Sequence, residues 1–271
     1  MYFFKVNTRL VSRIIGLCYH VFQMDEYLTF AKDLARQAGA IIKDNFNSNL
    51  KVELKSDHSP VTQVDKQINS LVIDAIRTTY PDHGVLGEEA DTGMGNEEYQ
   101  WLCDPLDGTA AFIVGMQHST FILALTSDGQ VLLSVVYDPF TNKLYHAVKG
   151  NGAFCNDKPI QVNNQPLQDS YVLVEPTGFE LYPKLTDAGA ILEVAPGAGY
   201  RAMLLASGRC SAIVQGKADN HDVGAAALIV EEAGGKVTDL RGHALRYDQS
   251  IQGGVILSNG TCHAEILEAL A

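Results

Sequence analysis

Two carboxylates stand three residues apart in Asp104-Pro105-Leu106-Asp107-Gly108-Thr109, directly after the apolar run Trp101-Leu102-Cys103. Held side by side, such carboxylates repel unless a cation sits between them, and hard oxygen ligands suit Mg²⁺ or Mn²⁺. Pro105 and Gly108 predict a turn, and the segment from Ala110 predicts a helix start whose backbone N–H groups would receive a phosphate oxygen. Metal and anion would then meet at one place. An ordinary surface turn has the same spelling, because Pro presets φ, Gly supplies positive φ and Asp bonds its own backbone. The motif therefore gains meaning only from other acids in the chain.

Those acids have the same double character. Thr62 and Asp65 open an apolar-periodic segment and read as a capping pair. Gly87-Glu88-Glu89 reads as a solvated turn. Asp222, in Asn220-His221-Asp222-Val223-Gly224-Ala225-Ala226, reads as the cap of a helix whose small residues allow close packing.

Periodicity supplies the elements that would position these side chains. Leu28, Ala31, Leu34, Ala35, Ala38, Ile41 and Ile42 predict a core-facing helix over residues 25–46, and Ile68, Leu71, Val72, Ala75 and Ile76 predict another. Val85-Leu86 leads as a strand into Gly87, and residues 91–98 predict a mobile polar loop before the strand at Trp101. A β-rich block over 120–126, 131–137, 143–148 and 153–162 has turns short enough for an antiparallel meander. Past Asn163-Asn164-Gln165-Pro166, strands at 171–174, 211–214, 236–238 and 255–258 alternate with helices at 200–206, 223–233 and 261–270. The expectation is a layered α/β protein in two sub-domains. Residues 24–162 would form an α+β unit with an antiparallel sheet and the metal site, and residues 163–271 an α/β half contributing Asp222. Residues 1–23, with Lys5, Arg9, Arg13 and no acid, are expected to be an extension upstream of a start at Met24, although a targeting peptide has the same composition.

Charged residues make up 19% of the chain and apolar ones 46%, the proportions of a soluble globular protein. The net charge of −12 argues against nucleic acid held by bulk electrostatics, and a phosphorylated substrate would need metal to offset repulsion. The five cysteines are scattered and lack Cys-x-x-Cys spacing, which suggests neither a disulfide framework nor a zinc site and points to a reducing, cytoplasmic compartment. The apolar runs are too interrupted to span a membrane.

Taken in order, Thr62-x-x-Asp65, Gly87-Glu88-Glu89, Asp104-Pro105-Leu106-Asp107-Gly108-Thr109 and Asp222 before its small-residue helix resemble the inositol monophosphatase superfamily of Mg²⁺-dependent, lithium-sensitive phosphatases. The likeness runs from about Asp25 to the C-terminus and takes in Val136-Tyr137-Asp138-Pro139, Lys149-Gly150-Asn151-Gly152-Ala153-Phe154 and Glu231-Glu232-Ala233-Gly234-Gly235. It implies a sandwich of alternating helix and sheet layers, a phosphomonoesterase activity and a homodimer. Glu88, Asp104 and the Leu106 carbonyl are implied to hold one Mg²⁺, and Asp104, Asp107 and Asp222 a second, with a weaker third ion through Glu88 and Asp65. Mn²⁺ would also serve, and Li⁺ would inhibit. Thr62, Asp65, Glu88 and Thr109 are implied to orient or deprotonate the attacking water. Gly108 and Thr109 N–H groups would steady the phosphate, and Asp107, Gly197, Ala198, Gln215 and Asp222 would line the substrate.

Several positions depart from the family. His221 stands where members usually carry Trp and is read as a packing or capping residue rather than an extra ligand. Gln215 falls where inositol-specific members carry Glu, and keeps hydrogen bonding without the charge. Ala195-Pro196-Gly197-Ala198-Gly199-Tyr200 differs from the usual Gly-Ser/Thr-Ala pattern but keeps small residues where substrate approaches closely. Ala110-Ala111-Phe112-Ile113 lacks the Lys-Glu-Phe run of the 3′(2′),5′-bisphosphate nucleotidase branch, and Arg201 and Arg209 are read as surface charges rather than ligands of a second phosphate. The expected substrate is a small phosphorylated metabolite, inositol monophosphate first. Alternatives are 3′-phosphoadenosine 5′-phosphate, histidinol phosphate and fructose 1,6-bisphosphate. A catalytically idle regulatory or scaffold protein of the same fold is the reading of another class; the intact acidic set speaks against it.

Overall fold

A computed structural model describes residues 8–56, 58–89 and 97–271, so most of the polar loop predicted over 91–98 lies outside the described residues. Helix α1 (Thr8–Asn45) begins well before residue 25, where the sequence predicted its start. No proline interrupts the added segment, and a helix once nucleated propagates at little cost. Strands β1 (Val52–Leu54) and β2 (Pro60–Thr62) pair antiparallel around the polar turn. They escaped prediction because β1 is exposed along its whole length and carries no burial pattern. Helix α2 (Gln63–Thr79) buries Val64, Ile68, Val72 and Ile76, the stripe its periodicity predicted.

Next come β3 (Gly84–Gly87), β4 (Gln100–Asp107), the short helix α3 (Thr109–Ile113), β5 (Thr120–Ser127), β6 (Gln130–Asp138), β7 (Lys143–Val148), β8 (Ala153–Cys155) and β9 (Lys158–Pro159). They form a seven-stranded sheet in sequence order, antiparallel except for the parallel pair β3–β4. The single strand predicted over 153–162 is instead a hairpin. Asn156 and Asp157 turn it with φ of 47° and 61°, the left-handed pair that a two-residue connection demands.

The remaining chain gives β10 (Tyr171–Val174), a 3₁₀ turn (Pro176–Leu181), α4 (Tyr182–Asp187), β11 (Ile191–Val194), α5 (Ala198–Ala206), β12 (Ala212–Gln215), α6 (Asn220–Glu232), β13 (Lys236–Asp239), β14 (Val255–Ser258) and α7 (His263–Leu270). Its five strands form a mixed sheet in the order β11-β10-β12-β14-β13. The sequence missed α4, which is six residues long, and β11, which has no fully buried residue.

Three hydrophobic clusters fill the four interfaces between five layers. α1 and α2 pack Leu34, Ala38, Ile42, Ile68 and Ile76 against Trp101, Cys103, Leu123 and Val135 on one face of the large sheet. On its other face Leu102, Ile122 and Val136 meet α5 and α6, whose far sides meet Leu173, Ile213 and Leu257 of the small sheet. α4 and α7 close the stack through Leu185 and Ile266 against Val172, Val174 and Ile256. Successive strand residues face opposite layers, as Trp101 and Leu102 do, so both faces of each sheet must be apolar. α6 lies between two sheets and is accordingly apolar almost all round. Among the described residues no helix is long and apolar enough to cross a membrane.

Candidate active site

The organising motif is a strand end rather than a simple turn. β4 continues through Pro105 to Asp107, and its register against β5 shifts between Asp104, opposite Ile122, and Asp107, opposite Thr120. Two residues of β4 thus oppose one of β5, a bulge that accommodates a proline without a ladder N–H. Gly108 then bends the chain at φ 80° into α3. Both carboxylates are buried. Asp104 Oδ1 accepts from Leu106 N at 3.0 Å within the bulge.

Asp107 is fixed from two directions. Its Oδ1 accepts from Ala198 N at 2.7 Å, and its Oδ2 from Gly199 N at 3.0 Å and from Thr120 Oγ1 at 2.7 Å. The start of α5 is thereby tied to the end of β4. Gly197 permits the approach: it has φ 78°, and a Cβ there would stand 2.8 Å from Asp107 Oδ2.

A second network joins α2 to the same motif. Thr62 caps α2, accepting from Val64 N, while its own N–H and hydroxyl both donate to Asp65 Oδ2 at 2.8 and 2.5 Å. The capping pair expected from the sequence is therefore present, yet it is buried and has a further partner. Thr109 Oγ1 lies 2.9 Å from both Asp65 Oδ1 and the Leu106 carbonyl. Burial raises the Asp65 pKa, opposed by the hydrogen bonds from Thr62 and Thr109.

Glu88 follows β3, where Gly87 lets Asn69 of α2 pass: a Cβ on Gly87 would fall 2.0 Å from Asn69 Oδ1. Lys55 Nζ stands 2.6 Å from both Glu88 Oε1 and Glu89 Oε1, so the paired acids are not a freely solvated turn. Burial works to raise the Glu88 pKa, but His221 and Lys55 outweigh it and the net shift is downward. Asp222 proves not to be the cap of α6. That residue is Asp219, which leaves Asp222 in the first turn, facing the other acids. The Asp222 side chain keeps 31% of its surface open, yet its carboxyl is pushed up to about 7 by burial and then by Asp107 and Glu88, against the pull of His221. Asp104 is raised well above the usual carboxylate range by burial and by the charges of Glu88, Asp222 and Asp107.

These pKa directions are the test of whether a metal fits. After burial, the charges of Glu88 and Asp107 raise both Asp104 and Asp222, so the four carboxylates act on one place. Such a donor set accommodates a divalent cation, whose charge would reverse the effect.

Gln215 is buried at the end of β12, with Nε2 3.4 Å from Glu175 Oε2. Arg201, read from the sequence as a surface charge, is instead buried, with 4% of its side chain exposed. Its Nη1 donates to the Ala195 carbonyl and its Nη2 approaches Glu175 Oε2 at 3.5 Å, while Nε has no hydrogen-bond partner among the described residues. Its charge also reaches Asp107. Lys55, Thr120, Glu175 and Arg201 were not anticipated here. Their partners lie far away in sequence, and only the signature of a buried stripe on α5 could have flagged Arg201.

With this geometry in view, comparison with known proteins is informative. Residues 23–271 match the model of the inositol monophosphatase family. A histidinol-phosphatase of Chlorobaculum parvum is 33% identical over 253 residues, covering 90% of this chain and 96% of that protein. The Nus factor SuhB of Pasteurella multocida is 32% identical over 234 residues, covering 81% and 87%. The solved IMPase of Thermotoga maritima superposes with a TM-score of 0.83 at 27% identity, over 90% of this chain and 96% of that one. The chain belongs to the inositol monophosphatase family and is a metal-dependent phosphatase with that family's layered helix-and-sheet fold.

Proposed function

We propose that the protein is a Mg²⁺-dependent phosphomonoesterase acting on a small phosphorylated polyol, inositol monophosphate first, at the cluster of Glu88, Asp104, Asp107 and Asp222. The observation that carries the proposal is that Asp104 and Asp222 are both raised, after burial, by the charges of Glu88 and Asp107, as carboxylates gathered at one place are. Divalent cations held by them and by the Leu106 carbonyl would offset the phosphate charge and lower the pKa of the attacking water, with Mn²⁺ able to substitute and Li⁺ inhibitory. Thr109 has one hydroxyl proton. Donated to Asp65 Oδ1, it leaves only acceptor lone pairs facing outward, so Thr109 accepts from the water and orients it. Thr62 and the buried Asp65 hold that arrangement, and Glu88 takes up the water proton. The backbone N–H groups of Gly108 and Thr109 steady the phosphate oxygens, while Gly197 and Ala198 keep the wall beside Asp107 low.

Gln215 and Glu175 form an amide–carboxylate pair of the kind that binds hydroxyls, which supports a polyol. A second reading has its own observation: the buried, unpartnered Arg201 Nε favours a substrate with a second anionic group, such as fructose 1,6-bisphosphate or 3′-phosphoadenosine 5′-phosphate. Phosphate release with Mg²⁺ from inositol 1-phosphate, these two compounds and histidinol phosphate separates the readings. Preference for inositol 1-phosphate supports the polyol; preference for a bisphosphate, lost in Arg201→Gln, replaces it. Turnover of none of them by folded, metal-bound protein would contradict both.

A further inference from the structure

His221 is the residue before Asp222, and the cap it was expected to provide belongs to Asp219. Its ring is 20% exposed, with Nε2 3.6 Å from Asp222 Oδ1. That distance is too long for a hydrogen bond. It is close to the roughly 3.0–3.5 Å that separates two donors each about 2.1 Å from a shared ion. Ligand atoms of Asp219, His221 and Asp222 all lie within 4.8 Å of one another. The imidazole thus stands beside the Asp222 carboxylate.

We propose that His221 is a nitrogen ligand of the divalent cation held by Asp222, with Asp219 as an outer carboxylate. The proposal rests on the reading that the acidic cluster binds cations. A neutral imidazole has one lone pair to give, and mixing it into an oxygen set raises affinity for a transition-metal ion such as Mn²⁺ more than for Mg²⁺. The site thus becomes selective for a metal that an all-oxygen set would not distinguish as strongly.

The experiment is a titration of the full chain with Mn²⁺ alone, followed by pulsed EPR, which detects ¹⁴N of a coordinated imidazole. The parent should show ¹⁴N modulation and His221→Gln should lose it, with Mn²⁺ affinity falling about tenfold or more and Mg²⁺ affinity falling less. His221→Trp, carrying the residue usual in the family, provides a second folded variant with the same expected loss. Bound Mn²⁺ without ¹⁴N modulation, or modulation that survives both substitutions, overturns the nitrogen ligand and leaves the carboxylate site standing. Failure of the site itself looks different: no Mn²⁺ bound by the parent, or undiminished binding by Asp104→Asn.

Discussion

Asp107 illustrates how a side chain is prepared for charge. Three donors from β5 and α5 fix both its oxygens, so its direction is set before any ligand arrives. Gly197→Ala should disturb that clamp, because the new Cβ meets Asp107 Oδ2 and the φ of 78° is unfavourable for alanine. The expected cost is about 1–3 kcal/mol, measured by denaturant melts, with a loss of activity beyond that of the equally small change Ala198→Gly. Asp65, Glu88, Asp104 and Asp107 stood out in the sequence because each shares a short motif with Gly, Pro or Thr, and Asp222 because a small-residue helix follows it. Thr120 and Arg201 were not, since a threonine in a strand and an arginine in a helix carry no local mark of what they will face.

At the scale of elements, the bulge in β4 and the cap of α2 do the positioning. Thr62→Ala removes the acceptor for Val64 N and both side-chain and positional support for Asp65. About 1 kcal/mol of stability should be lost, and phosphate release should fall further than stability explains, with Thr62→Ser restoring both. α7 offers an independent check on burial. His263 lies between Thr238 Oγ1 at 3.0 Å and Ser258 Oγ at 2.7 Å, and its pKa is pushed down to about 4 by burial and then by Lys236. Between about pH 6.5 and 4 the unfolded chain binds this proton and the folded chain does not, so stability falls as pH is lowered through that window. The contribution is on the order of 3 kcal/mol, and His263→Gln should flatten the melting temperature over the same range. Long periodic helices and the meander were readable from sequence. The bulge was not, because Asp-Pro-x-Asp-Gly spells a turn equally well, and β1, β11 and α4 are too short or too exposed to leave a pattern.

The whole molecule is a stack in which helices from the second half enter the space between two sheets. α6 brings Asp222 to the acids of β4 while Ala225, Ala226 and Ala227 fill the gap on both sides. Ala225→Leu should cost about 1–3 kcal/mol through overpacking and lower activity by displacing Asp222, seen as a reduced melting temperature together with weaker Mg²⁺ dependence. The layered α/β class was legible because apolar strands and an all-round apolar helix must each be covered on two sides. How the halves meet was not, since it depends on contacts such as Ala198 N to Asp107, which are 91 residues apart in the chain. The most direct measurement is phosphate release from inositol 1-phosphate and the three alternative esters as Mg²⁺ is titrated, for the parent and for folded Asp104→Asn and Asp222→Asn. The parent should require Mg²⁺ and lose activity to EDTA, and each variant should be slower by at least about a hundredfold. Variants that hydrolyse the preferred ester as fast as the parent, or a parent indifferent to Mg²⁺, would contradict the carboxylate cluster as the seat of catalysis.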